Sequence, residues 1–566
     1  MSFFDDASLV FLPSGQAGKD GKAYSMKPTN GDGDFTFSRG SNLTATRVDS
    51  NGLIEKGREN LLTYSNRFDL WNIKNVTSGH AGYDGTNDAW LQSGASRLQR
   101  NISYSSGVYT ASFYVKAGFS NYVQIRIGSS STIIARFELI GNGTNLLNIG
   151  TFHTSIEPVS NGWYRISISF NSDVTQFRIQ PENDSSGTIT ADSSVYVQHA
   201  QLEIGLTSTE YIESGATTGL AGLLEDSPRF DYSGGASCPS LLLEPSRTNL
   251  FEQSEYYEDT FWEAASAGGG SAPIVTTNYA TSPEGVQNAT RIQFDASSSG
   301  SSSDRSRIRT TITIPTDNVD YTQSFYIKST NGTEQKISFL MDNSQQQIMT
   351  ITSEWQRFDA TRQHTGATGI YGLDLRSNFA STSDILVYAG QLEEGSYPTS
   401  YIPNHSGGSV TREADSCSDA GTSSTFNDAE GVLYLEASAI DNGSSEKAIA
   451  INDGTTNNRI NIRIVNNTIK GLVILGGSLV CNISYTATSV ITSNKIAFKY
   501  KRNDFALWLN GVEVGTDTSG SIFPADTLNE LSFDYGGASA FFYGNVEQVL
   551  YFPTALSDVE LTALTS

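Results

Sequence analysis

Cysteine is scarce. Cys238, Cys417 and Cys481 are the three in 566 residues, too few and too widely spaced for a disulfide framework, and none stands at zinc-ligand spacing. Isolated thiols are the expectation. Histidine is scarce too: His80, His153, His199, His364 and His405 include no i, i+4 pair around a glutamate, which excludes a metal-hydrolase helix. Basic residues number 36 against 60 acidic ones, for a formal net charge of −24, and no basic run occurs. A duplex nucleic acid needs clustered cations to displace its counterions, so no nucleic-acid partner is expected. No apolar run approaches the ~18 residues of a membrane span, so no membrane insertion is expected either. The start, Met1-Ser2-Phe3-Phe4-Asp5-Asp6, lacks the basic and apolar parts of a secretory signal, which implies synthesis in a cytoplasm. There is no Walker loop, and no Gly-x-Ser-x-Gly elbow sits between a strand and a helix.

What is present points to β-structure. Aromatics make up 11% of the chain and Gly accounts for 52 residues, with Ser, Thr and Asn crowding the connections. Aromatic and β-branched side chains suit pleated surfaces, and Gly and Asn suit turns. The length exceeds what one core usually supports, so three or four domains are expected. Apolar and polar residues alternate in Tyr109–Lys116, Tyr122–Ile127, Gly162–Phe170 and Ser194–Leu202, the period of a sheet with one buried face. With no long amphipathic helix, sandwiches are the expected architecture.

One module occurs twice. Asn60-Leu61-Leu62 with Trp71, Trp163-Tyr164-Arg165 and Gln201-Leu202-Glu203 recur as Asn249-Leu250-Phe251 with Trp262, Trp355-Gln356-Arg357 and Gln391-Leu392-Glu393, each about 190 residues on. The Tyr109 strand recurs further on, at Tyr321, and the Ser-rich stretch Ser297–Ser303 is the expected insertion. Both copies end alike, with Thr209-Glu210-Tyr211-Ile212 matching Thr399-Ser400-Tyr401-Ile402. The chain therefore divides into an N-terminal β segment for attachment or packing (1–57), module 1 (58–220), an ordered joint (221–247), module 2 (248–412), a linker (413–430) and a third module (431–566). In the third, Asn510-Gly511 between alternating apolar residues predicts a hairpin, and Ser557 with Glu560 predicts a helix capping box.

The third module resembles the laminin-G-like, concanavalin A-like lectin sandwich, through Ala497–Val514 and through Gly544–Phe552 followed by Ala555–Glu560. The earlier region resembles virion-surface proteins of tailed bacteriophages, such as tail fibres, tailspikes and head fibres. That resemblance rests on Phe37-Ser38-Arg39-Gly40-Ser41, Ala45–Ile54, Pro228-Arg229-Phe230-Asp231, Leu241–Leu250 and the closing signal Gln391–Arg412. The modules between resemble carbohydrate-binding jelly rolls. Together these resemblances imply an all-β chain of tandem jelly-roll sandwiches with a concanavalin A-like end. They also imply a place on a phage particle, other virion proteins and host surface glycans as partners, and a homotrimer.

No catalytic constellation is visible. Concanavalin-like glucanases carry Glu-x-Asp-x-x-Glu on one strand, and the third module has no such run. Glu203, Glu393 and Glu394 end strands at positions set by the repeat, so a structural role is expected for them. Trp71, Trp163, Trp262 and Trp355 recur in both copies, as core residues do. Trp90 and Trp508 have no counterparts and, with Tyr83, are the candidate glycan-facing aromatics. The turn Tyr83–Asp88 is rich in oxygen ligands. Asp84, Asn87 and Asp88 are candidate ligands for a structural calcium, with a plain polar turn as the alternative. A non-enzymatic adhesion protein of a phage surface is the expected function; a mechanical decoration protein and a polysaccharide-depolymerising tailspike are the alternatives.

Overall fold

The computed structural model describes residues 3–13, 21–40, 43–128 and 133–566; Met1, Ser2 and Ser41 of the motifs above lie outside them. Among the described residues nearly all regular structure is antiparallel strand, which is the all-β class that the alternation predicts. Among the described residues no helix is long and apolar enough to cross a membrane. The three cysteines are free.

Module 1 is organised by two 20-residue strands, Leu98–Ala117 and Trp163–Glu182, which pair along most of their length. They bend from one face of the sandwich to the other, so nine strands join in one continuous sheet around Phe113, Ile166, Phe177 and Val197. Module 2 breaks both strands. Arg305–Thr313 and Asp320–Ser329 replace the first, Gln356–Gln363 and Thr368–Arg376 the second, and two five-stranded sheets result. Pro315 and the left-handed Asn318 lie in the first break, where a ladder cannot continue. The extra residues between Trp262 and Tyr321 are therefore split between this connection and the Ser-rich loop.

The C-terminal sandwich is built from three distant parts of the chain. Its larger sheet contains Glu430–Ala439, Asn494–Lys501, Phe505–Leu509 and Gly544–Phe552. One edge of Gly544–Phe552 is then completed by two remote segments. Leu9–Phe11 pairs with Val549–Tyr551, and Ser240–Leu243 pairs through Leu241–Leu243 with Gly544–Val546. Leu9, Phe11, Phe35, Phe37, Leu241 and Leu243 all enter the core of this sandwich. Residues 413–430 do not form a linker: Ser416–Ser418 pairs with Phe35–Ser38, and Cys417 and Phe426 are core. Modules 1 and 2 are thus inserted into a sandwich that begins near the N-terminus and ends at the C-terminus. The hairpin at Asn510-Gly511 forms with both residues at positive φ, and Ser557 and Glu560 form the capping box of Asp558–Thr565.

Where the inserted modules leave and re-enter this sandwich, five charges are buried together. Arg39, Arg229 and Arg412 converge on Glu244 and Asp415. Arg229 Nη1 donates to Glu244 Oε2 at 2.5 Å, Arg412 Nη1 to the same oxygen at 2.7 Å, and Arg39 Nη1 to Asp415 Oδ1 at 3.3 Å; Arg229 Nη2 also donates to Asp415. Ser400 of module 2 adds its N–H and its hydroxyl to Glu244 at 2.7 and 2.6 Å. Arg39, Arg229, Arg412 and Glu244 belong to motifs quoted above, Asp415 follows three residues after Arg412, and together they lock the joint.

Candidate functional site

The closing signal is structural in both copies. Gln201 Nε2 donates to Glu203 Oε2 at 2.6 Å, Thr209 N to the same carboxylate at 3.0 Å, and Ile212 N to Gln201 Oε1 at 2.6 Å. Gln391, Glu393, Thr399 and Ile402 repeat this at 2.6, 2.9 and 2.7 Å. Glu203 and Glu393 are buried. A carboxylate saturated in this way fixes the chain as it leaves the last strand, and burial raises the pKa of Glu393 against the hydrogen bonds from Thr399 and Gln391.

Two of the three candidate aromatics are core. Trp90 is 9% exposed and Trp508 4% exposed, so neither offers a stacking face. Trp90 packs edge-on against Phe68 and donates Nε1–H to Asn66 O at 2.9 Å. Trp508 lies under the C-terminal helix with Leu561 and Leu564. The alternation rule assigns one face of Phe505–Leu509 to solvent, but that helix and Val10 cover it.

Tyr83, by contrast, stands in a surface cluster that the turn Tyr83–Asp88 shares with the strand Ser194–Ile204. Its half-buried ring stacks on Tyr114 at 3.7 Å between centroids, and Arg165 lies over the Tyr114 ring. His199 stacks on Tyr211 at 3.9 Å and stands edge-on to Tyr83. A bulge in the strand, with His199 at φ 53°, turns its imidazole outward from the ladder toward the turn. Asp84 and Asp88 stand beside these rings, and their ligand atoms gather with those of His199 within 4.8 Å. Asn87 is exposed and is not in this group.

The carboxylates face hydrogen donors. Asp84 Oδ1 accepts from Thr86 N at 3.1 Å, Thr86 Oγ1 at 2.6 Å and Gln198 Nε2 at 3.3 Å. Asp88 accepts from Gln198 Nε2 at 2.5 Å and from Asn66 Nδ2 at 2.9 Å, and its Oδ1 shares with Asp84 the single proton of the Thr86 hydroxyl. Burial works to raise the Asp84 pKa, and the hydrogen bonds from Thr86 and Gln198 outweigh it and hold it low. Burial lowers the His199 pKa against the pull of Asp88. Among the described residues, no Lys or Arg forms an ion pair with Asp84 or Asp88. Calcium takes roughly six to eight oxygens, whereas this set holds an imidazole and an amide N–H directed at the carboxylates. The set therefore offers fewer oxygen ligands than calcium usually takes.

His199, Gln198, Tyr114, Tyr211 and Asn66 were not legible as site residues from the turn alone. The signal for them lies in the repeat: His199 and Gln198 correspond to Ala389 and Tyr388, so the copies keep the scaffold and differ at this face. A second concavity, of about 360 Å³, lies where the modules meet and is lined by Leu43, Lys56, Tyr109, Glu203, His405 and Val410.

No family model and no curated protein matches the chain. Among solved structures, it is similar to the CBM40 of the Ruminococcus gnavus IT-sialidase bound to α2,3 sialyllactose, at 18% identity over 26% of this chain and 92% of that one, with a TM-score of 0.23. Domain 4 of AbnA, a GH43 extracellular arabinanase from Geobacillus stearothermophilus in complex with arabinotriose, is 12% identical over 28% and 77%, with a TM-score of 0.23. The receptor binding domain of botulinum neurotoxin type G is 9% identical over 26% and 41%, with a TM-score of 0.21. Likeness at this level says nothing of what this chain binds.

Proposed function

We propose that this chain is a non-enzymatic glycan-binding protein of a tailed-phage particle, with module 1 presenting the recognition face to host surface sugars. The observation that carries the glycan reading is the half-buried Tyr83 ring, backed on one face by Tyr114, beside the carboxylates of Asp84 and Asp88. An aromatic ring accepts the apolar face of a pyranose, and carboxylates beside it accept hydrogen bonds from its hydroxyl groups. The virion part rests on the resemblance of the Arg39, Arg229 and Arg412 segments to phage surface proteins. It entails synthesis in the host cytoplasm, contacts with other virion proteins and a homotrimer, in which shallow single sites add up to a strong hold.

The test is a glycan array and a host-cell pull-down with the full chain. Retention of the wild type and loss of it in Tyr83→Ala, with unchanged secondary structure, supports the reading. Retention by neither protein overturns adhesion, and release of reducing ends from host polysaccharide overturns the non-enzymatic part.

A further inference from the structure

The two modules can be laid over each other at the recognition face, and module 2 shows what its own copy of that face holds. The turns 81–88 and 281–288 have equal length and matching form. Gly82 N donates to Thr86 O at 2.8 Å as Ser282 N does to Val286 O at 2.9 Å, and Gly85 and Gly285 share φ values of 85° and 82°. Asp84 therefore corresponds to Glu284, Asp88 to Asn288 and Tyr83 to Pro283. The opposite wall matches as well: Ala200 N bonds Ser65 O at 3.0 Å and Gly390 N bonds Ser254 O at 2.8 Å, which sets Asn66 against Glu255. An amide and a carboxylate have exchanged places across this gap. Asn66 Nδ2 donates to Asp88 in module 1, and Asn288 Nδ2 donates to Glu255 in module 2.

In module 2 the gap is filled. The Lys56 ammonium lies 3.2 Å from Glu255 Oε1 and 3.1 Å from Glu284 Oε2. Tyr388, which takes the place of Gln198, donates to Glu284 at 2.8 Å without displacing it. A primary ammonium brought in from the segment before module 1 thus bridges both carboxylates, with Arg58 paired to Glu284 from the other side and His405 Nε2 3.5 Å from Glu255 Oε2. In module 1 the paired carboxylates remain, the Asp88 side chain is 45% exposed, and among the described residues the basic side chain nearest to it is His199, whose Nε2 lies 3.5 Å from Asp88 Oδ2.

We propose that the Asp84–Asp88 face of module 1 binds a primary ammonium group carried on a sugar, that is, an amino sugar with a free amine; this rests on the glycan reading above. A sugar is favoured over a lysine on a docked strand for two reasons. The strand bearing Lys56 is held by Ile54 N donating to Pro283 O at 2.9 Å, and the matching carbonyl, Tyr83 O, already accepts from the Ser160 hydroxyl. Moreover, Pro283 is replaced by the Tyr83 ring, a surface for a pyranose face beside the charge.

Titration calorimetry on the full chain tests this with glucosamine oligosaccharides, their N-acetylated forms, and a lysine-rich peptide. The free-amine oligosaccharide should bind about tenfold more tightly than its acetylated form, as expected for a charge-assisted hydrogen bond to a carboxylate. The preference should fall with added salt and vanish in Asp84→Asn/Asp88→Asn. Where that double variant unfolds, Asp84→Asn, at an exposed position, reads the same loss. Equal binding of both oligosaccharides, or a preference that survives the substitutions, overturns the ammonium site and leaves glycan binding standing. Binding of the peptide alone overturns both.

Discussion

Arg229 and Asp415 stand 186 residues apart in the chain and pair in its interior, with neither side chain open to solvent. The pair bridges the joint before module 2 and the chain that leaves it, and Glu244 and Arg412 extend it. Removing one partner of such a group strands the others without water. Arg229→Ala is therefore expected to cost about 3–5 kcal/mol, seen as a lower urea midpoint.

Acid should weaken the same joint. Burial alone raises the Glu244 pKa, but Arg412 and Arg229 outweigh it and hold the carboxyl far below its ordinary value of 4.5. A group depressed in the folded state stabilises fully above its unfolded pKa, and that contribution is lost as pH falls toward the folded one. The melting temperature should thus begin to fall below pH 4.5, where the unfolded carboxyl takes up its proton first. Glu255, depressed by Lys56 and His405 against its own burial, adds in the same direction. Melting curves of Glu244→Gln should start lower at pH 7 and show a shallower acid limb. An acid limb as steep as that of the wild type would place the effect elsewhere.

The duplication was legible because each residue of its signal does a local task. Gln201, Glu203 and Thr209 bond one another within a few residues, so the pattern survives wherever the turn survives. The hairpin at Asn510 and the capping box at Ser557 are equally local. The origin of the C-terminal sandwich was hidden for the opposite reason. Leu9-Val10-Phe11 is a three-residue strand whose partners stand at the far end of the chain, and nothing near it states that pairing. At the candidate site the turn Tyr83–Asp88 was visible as polar and aromatic. Its closure by His199 and Tyr211 depends on a bulge that spacing does not reveal.

Trp90 and Tyr83 stand a turn apart and should answer substitution oppositely. Trp90 is packed on Phe68 inside the module, so Trp90→Ala should cost about 3–5 kcal/mol through loss of buried surface and a cavity. Tyr83 is half-buried and partnered on one face by Tyr114, so Tyr83→Ala should lower the melting temperature far less while abolishing glycan retention. Melting curves and array binding of both variants separate the roles. Equal destabilisation would make Tyr83 a core residue as well.

The third module should not fold when cut out at its apparent boundary. Fragment 431–566 lacks Leu9–Phe11 and Ser240–Leu243, which cover one edge of Gly544–Phe552, and it lacks Phe35 and Phe37 from the core. An uncovered, apolar edge strand invites association with other chains. The fragment is expected to aggregate and to show no cooperative melting transition. Module 1 should behave differently, because Asn60 and Gly219 are paired across the neck of the insertion. Replacing residues 61–218 with a short Gly-Ser turn closes the chain without moving either end. That variant should keep a cooperative transition and lose glycan retention. A soluble, cooperatively melting 431–566 fragment would show instead that the remote strands decorate a sandwich that stands without them.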